Sequence, residues 1–243
     1  VTRYLTWTEF KLLTREPLVL VLTLMFPILL MVVLAAAFAD HGGPVFANLD
    51  GTQFYVTAYL GAGIAIMGFM GTPTHLAGYR ESGVLRRFRA AAISARAVVF
   101  SQAAVLTLLA VIGAAVMLVL ATILFDIPGP ASALGVAAAF AVGILAFAGI
   151  GTLLGSIMPG ARSAQGLGLL LFFGTFLLVG GGPPPAVFPA ALNAITSWTP
   201  TGLLLDAIRS PWAGNGLDVT AMVTLVLIAV AGFALASRRL SKN

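Results

Sequence analysis

Residues 78–96 read GYRESGVLRRFRAAAISAR, and this short stretch holds five of the thirteen basic residues of a 243-residue chain. Elsewhere the sequence is strongly apolar: 60% of residues are hydrophobic, 9% are charged, and the mean hydropathy is +1.05. Soluble domains carry roughly 25% charged residues, so this is the composition of a membrane protein. There is no cysteine, which removes disulfides, cysteine-ligated zinc and thiol nucleophiles from consideration. The pI of about 10.2 looks like a nucleic-acid signal until the cations are placed on the chain. They sort by side of a membrane, and no nucleic-acid partner is expected.

A bilayer core of about 30 Å takes about 20 apolar residues per helix. Uncharged stretches, trimmed at glycines and prolines, predict six transmembrane helices at 18–38, 54–75, 97–125, 131–157, 164–180 and 217–237. The first is longer than the 7–15 residues or so of a signal-peptide core, so it reads as an uncleaved anchor. The uncharged run 163–205 is too long for one span and is broken by GGGPPP at 180–185, which no continuous helix tolerates. One full span followed by an outer re-entrant segment over 181–210 is expected.

Orientation follows from the positive-inside rule. Arg3, Lys11, Arg15, the five arginines of 78–96, Arg162, Arg238, Arg239 and Lys242 fall on one side, twelve of the thirteen cations. Asp40, Asp50, Asp126, Asp206 and Asp218 fall on the other, with Arg209 as the lone cation. The expected fold is all-α: a polytopic membrane protein of six transmembrane helices, N-in/C-in, forming one transmembrane domain over 1–243.

The predicted spans carry no Asp, Glu, Lys or Arg near their centres, where ion- and proton-driven transporters usually need them. His75, near the cytoplasmic end of the second span, reads as an interfacial imidazole. Metalloprotease and nucleophile-elbow motifs and metal-ligand clusters are missing. A Walker A motif needs a Lys after Gly to reach the phosphates. The two lysines, Lys11 and Lys242, follow Phe10 and Ser241. No enzyme is expected from this motif list, and if the chain moves anything uphill, the energy must come from another polypeptide.

Read as one helix, the opening stretch places Val84, Leu85, Phe88, Ala91 and Ala92 on one face, with Arg86 and Arg89 opposite. Such a basic amphipathic segment fits a topogenic loop resting on anionic headgroups, and it equally fits a docking helix. Glu81 falls on the apolar side of the wheel, a position that favours a protein partner or a buried pairing.

The run YRESGVLRRFRAAAISARAVVFSQ (79–102) resembles the cytoplasmic coupling segment of type 2 ATP-binding-cassette exporter permeases, the drug-resistance and polysaccharide-export class. TREPLVLVLTLMFPILLMVV (14–33) is similar to that family's first span, with Arg-x-Pro at its start and a mid-helix proline, here Pro27. FPAALNAITSWTPTGLLLDAIRS (188–210) resembles the stretch between its last two spans. The turn Ala91-Ala92-Ile93-Ser94 departs from the family by lacking a proline.

The resemblance implies an interfacial helix over 1–16 and a coupling segment over 78–96. Glu81, Leu85, Arg86, Phe88 and Arg89 would meet a separate cytoplasmic ATPase subunit that carries ATP and Mg. It also implies a second permease chain, identical or homologous, with the substrate path between the two and lined by the second and fifth spans. Candidate lining residues are Met67, Phe69, Met70, Phe172, Phe173 and Phe176, which fit either a soft apolar path for a hydrophobic substrate or plain helix packing. Gly181, Pro183, Pro184 and Phe188 are candidates for an outer gate. An exporter of hydrophobic or amphipathic compounds is expected, with a passive channel or lipid scramblase as the alternative. Eleven arginines against two lysines, with the Ala/Gly richness, point to a bacterial inner membrane.

Reporters fused after Asn243 or within 83–90 are expected to behave as cytoplasmic, and reporters near Gly43 or Asn215 as external. A cytoplasmic signal at Gly43 would sink the six-span topology.

Overall fold

The computed structural model describes residues 17–84, 87 and 95–242; the expected interfacial segment 1–16 lies outside them. Helix α1 (Pro17–Ala37) leads into a loop with a 3-10 turn at Pro44–Phe46 and a single bridge between Gly42 and Asp50. Next comes one rod made of α2 (Gly51–Ile66), a π turn (Met67–Gly71) and α3 (Thr72–Glu81). Helices α4 (Ala95–Phe125) and α5 (Ala133–Ile157) follow. Helix α6 (Ala161–Phe176) continues through a second π turn, Leu177–Gly181. After a 3-10 turn at Pro185–Val187 come α7 (Ala190–Thr196), α8 (Pro200–Trp212) and α9 (Val219–Lys242).

Among the described residues, five helical segments are long and apolar enough to cross a bilayer: Gly51–Glu81, Thr107–Phe125, Ala133–Ile157, Ala161–Gly181 and Val219–Leu240. The polytopic, all-helical expectation holds, and the span limits agree within a few residues except at one place. The α2–α3 span was expected to end near 75 and continues to Glu81. Pro73 has no N–H, and its ring crowds the carbonyl four residues back, that of Phe69. The π turn opens the helix just before the proline, and the Phe69 carbonyl leans onto α6 at Gly168, where any Cβ would collide with it. The proline is thus absorbed. At 31 residues the rod is about 46 Å long, well beyond a core of about 30 Å, so its end projects past the hydrocarbon.

Close approach between helices rests on small residues, as lipid-embedded packing requires. In α5 against α9 glycine meets glycine, and a Cβ on Gly232 would lie 2.6 Å from the Gly149 carbonyl carbon.

Three helices that start at the acidic end cap themselves. Asp50 accepts from the Gln53 N–H (2.7 Å), Ser132 from Gly135 (3.1 Å) and Asp218 from Ala221 (2.9 Å). Such caps satisfy orphan N–H groups and place carboxylates at positive dipole ends.

Helix α8 lies inside the bundle. Leu203, Leu204, Leu205 and Ile208 are buried, with Leu204 over Gly143 of α5 and Leu205 over Gly61 of α2. Those glycines sit about 15 Å below the helix starts at 133 and 51. At its far end α8 returns to the acidic end, where the Trp212 and Pro211 carbonyls accept from Ala131 and Ser132 (both 3.1 Å). The stretch after α6 therefore dips into the bundle and comes back, the geometry of a re-entrant segment.

Gly232→Ala is expected to cost about 1–3 kcal/mol through overpacking, seen as a lower melting temperature in detergent. Gly63→Ala, where a Cβ meets nothing within 4 Å, is expected to leave melting unchanged; equal effects would contradict the packing assigned to α5 and α9.

Candidate coupling site and outer gate

At the basic end, α3 finishes at Glu81 and does not run on into the basic segment. Ser82 N–H donates to the Gly78 carbonyl (2.9 Å) and Gly83 N–H to that of Arg80 (3.2 Å). Gly83 has φ +72°, the left-handed conformation that terminates helices. The single amphipathic helix drawn through 78–96 is thereby corrected. Glu81 belongs to the α2–α3 span and not to the apolar face of a basic helix, because a helical wheel assumes a continuity that Gly83 breaks. Leu85, Arg86, Phe88 and Arg89 lie outside the described residues.

Arg80 and Glu81 grip the turn between α5 and α6 from both sides. Arg80 Nη1 donates to the carbonyls of Gly155 and Met158, each at 3.0 Å, at the C-terminal end of α5. Glu81 Oε2 accepts from the Ala161 N–H at 3.0 Å, at the start of α6. The cation sits at a negative helix end and the carboxylate at a positive one, each worth about 0.3–1 kcal/mol when solvent-exposed. Gly160, the residue before α6, offers no side-chain cap of its own. A Cβ there would lie 2.6 Å from the Glu81 carboxylate. Helix α6 therefore takes its N-terminal cap from a different span.

At the acidic end, α6 unwinds. Gly180 has φ +107°, and the carbonyls released by the break are claimed by other elements. Tyr59 donates to the Gly181 carbonyl and Tyr55 to that of Gly182, both at 2.8 Å. Arg209 Nη1 donates to the Val179 carbonyl at 3.2 Å. The Arg209 guanidinium lies 3.9 Å from the centroid of the Phe54 ring, within cation–π range. Thr175 and Thr201 hydroxyls, 2.8 Å apart, join α6 to α8 lower down.

The residues assigned to a substrate path do not converge on one cavity within the chain. Phe69 is buried edge-on against Phe147 of α5. Phe172 and Phe176 stack at 5.0 Å, with Tyr59 edge-on to Phe176. These three rings are core side chains. Met67 and Met70 are half-buried and Phe173 is exposed, on the outward side of α6 with Leu169, Leu170 and Leu177. Of the gate candidates, Gly181 and Pro184 are buried, Phe188 is half-buried and Pro183 is exposed. Sequence reasoning missed Arg80, Tyr55, Tyr59 and Arg209 as site residues. A signal existed for the last: it is the lone cation at the acidic end.

A family model for ABC-2 type transporters matches residues 1–211. The chain belongs to this family and is the transmembrane subunit of an ABC transporter. No match is found among curated proteins.

Glu81→Ala leaves the Ala161 N–H uncapped, and loss of such a cap is expected to cost about 0.5–2 kcal/mol. Glu81→Gln keeps an acceptor and is expected to cost less. Thermal melting of the purified chain checks both, and an unchanged Glu81→Ala would contradict the cap.

Proposed function

We propose that the chain is the membrane half of an ATP-driven exporter of hydrophobic or amphipathic compounds in a bacterial inner membrane. Two such chains, identical or homologous, would face each other, and a separate cytoplasmic ATPase carrying ATP and Mg would supply the energy. The family supports the ATPase partner, and the chain's own sequence has no Walker A lysine.

The observation that carries the coupling role is the Arg80–Glu81 grip. A push delivered just beyond Gly83, where the basic segment begins, reaches the turn between α5 and α6 through hydrogen bonds to both flanking helix ends. Arg86 and Arg89 are the docking cations in this reading, with Leu85 and Phe88 packing against the ATPase. The apolar side chains on the outward side of α6, Phe173 among them, favour greasy cargo over sugars or ions.

In proteoliposomes, the isolated chain is expected to show no ATP turnover, while the chain with its ATPase should export a hydrophobic dye. Glu81→Ala should lower dye moved per ATP hydrolysed. Arg86→Ala with Arg89→Ala should weaken ATPase binding at low salt, and the difference from wild type should shrink at high salt, since exposed charges are screened beyond about 10 Å at 0.1 M. ATP-independent dye leakage at the wild-type rate would instead favour a channel or scramblase.

A further inference from the structure

Helix α6 is held in two different ways along its length. Its lower part is interlocked, with the Phe69 carbonyl pressed onto Gly168 and the Phe172 and Phe176 rings stacked in the core. Beyond Phe176 the helix passes into the π turn Leu177–Gly181 and breaks at Gly180, and the named polar contacts there are hydrogen bonds to three carbonyls. The upper part is packed as well, with Gly181 against the Phe176 ring and Gly180 against Phe54. It differs in that its freed carbonyls depend on donors from other elements, and the π turn, a feature often found at functional sites, marks where that dependence begins.

Arg209 is the odd member of that upper set. It stands on α8, whose leucines are wedged over Gly61 and Gly143, so its base is fixed. Its side chain is only 7% exposed, yet Nε and Nη2 have no hydrogen-bond partner. Buried donors normally find acceptors, and a guanidinium has five N–H groups to place. A Cβ on Gly180 would sit 2.9 Å from Nη2 and 2.6 Å from the Phe54 ring, so the guanidinium rests directly against the break in α6. One bond to a neighbouring carbonyl, a ring face and the nearby Asp206 carboxylate hold it, while Nε and Nη2 make no hydrogen bond.

We propose that Arg209 is the positioning residue of the outer gate. Together with the Tyr55 and Tyr59 hydroxyls it latches the unwound end of α6, and release of this latch lets 177–182 move while the helix below stays tied. The unspent Nε and Nη2 donors are the ones available to the 180–182 carbonyls as they shift, so the latch can change partners without stranding its charge. The role as a gate rests on the transport reading; the latch itself does not.

The cysteine-free chain allows a clean test. A single Val179→Cys, at a site 5% exposed, reports opening through its rate of labelling by an external maleimide. Ala146→Cys, fully buried in α5, reports opening of the whole fold. Both are measured on the purified chain in lipid, without ATPase. Arg209→Gln is expected to speed labelling at 179 by about tenfold, as loss of a hydrogen bond to a charged group implies, and to leave 146 unchanged. Arg209→Lys should fall between, and Tyr59→Phe, which removes one hydroxyl, should speed labelling at 179 by a smaller factor. Unchanged labelling at 179, or an equal rise at 179 and 146, would overturn the latch. If Arg209→Gln does not fold, the Tyr59→Phe rates decide by the same two criteria. Faster labelling at 179 in a chain that never supports ATP-driven export keeps the latch and rejects the exporter reading.

Discussion

The ends of helix α6 leave backbone groups without intrahelical partners, and the α2–α3 span supplies partners for them at both ends. Glu81 takes the Ala161 N–H at one end, and Tyr55 and Tyr59 take the Gly182 and Gly181 carbonyls at the other. Between them the Phe69 carbonyl rests on Gly168. Two long helices are thus tied at three levels by backbone groups, while α9 packs on α5 and α8. Tertiary packing and capping decide the arrangement here, since helices in lipid gain little from burying apolar surface against one another.

The helix starts at the two ends of the bundle are capped differently. Helices that start at the acidic end take their side-chain caps from their own Asp50, Ser132 and Asp218. Helix α6 is preceded by Gly160, whose missing side chain leaves room for the Glu81 carboxylate. Its start is therefore bound to the segment that leads directly into the basic loop. Arg80 and Glu81 tie that segment to the end of α5 and the start of α6 together.

Much of the fold was legible in the sequence because a bilayer imposes simple length and polarity rules. Uncharged stretches gave the spans, and GGGPPP marked where α6 breaks and the chain turns back. The second span was expected to end near 75, six residues short of Glu81, and the π turn that carries the helix past Pro73 leaves no mark in a single sequence. Gly83 misled in the other direction: a helical wheel drawn through 78–96 carried Glu81 onto the wrong helix, although its pairing with a neighbouring permease segment was expected. The aromatic residues of the two long spans could be placed at helical spacing but not assigned a direction. Phe69, Phe172 and Phe176 turned inward, while Phe173 faces out. The tyrosines at 55 and 59 gave no signal, because a hydroxyl becomes a cap only when a distant carbonyl is freed beside it.

The claim that the α2–α3 and α6 spans form one unit at the basic end is tested most directly by a distance. Ser82 and Arg162 are both exposed and flank the Glu81 cap, so spin labels at these two positions in an otherwise cysteine-free chain report the junction. In lipid, pulsed electron-spin resonance is expected to give a single narrow distance distribution that broadens in Glu81→Ala. A broad or two-peaked distribution in the unsubstituted background would contradict the account.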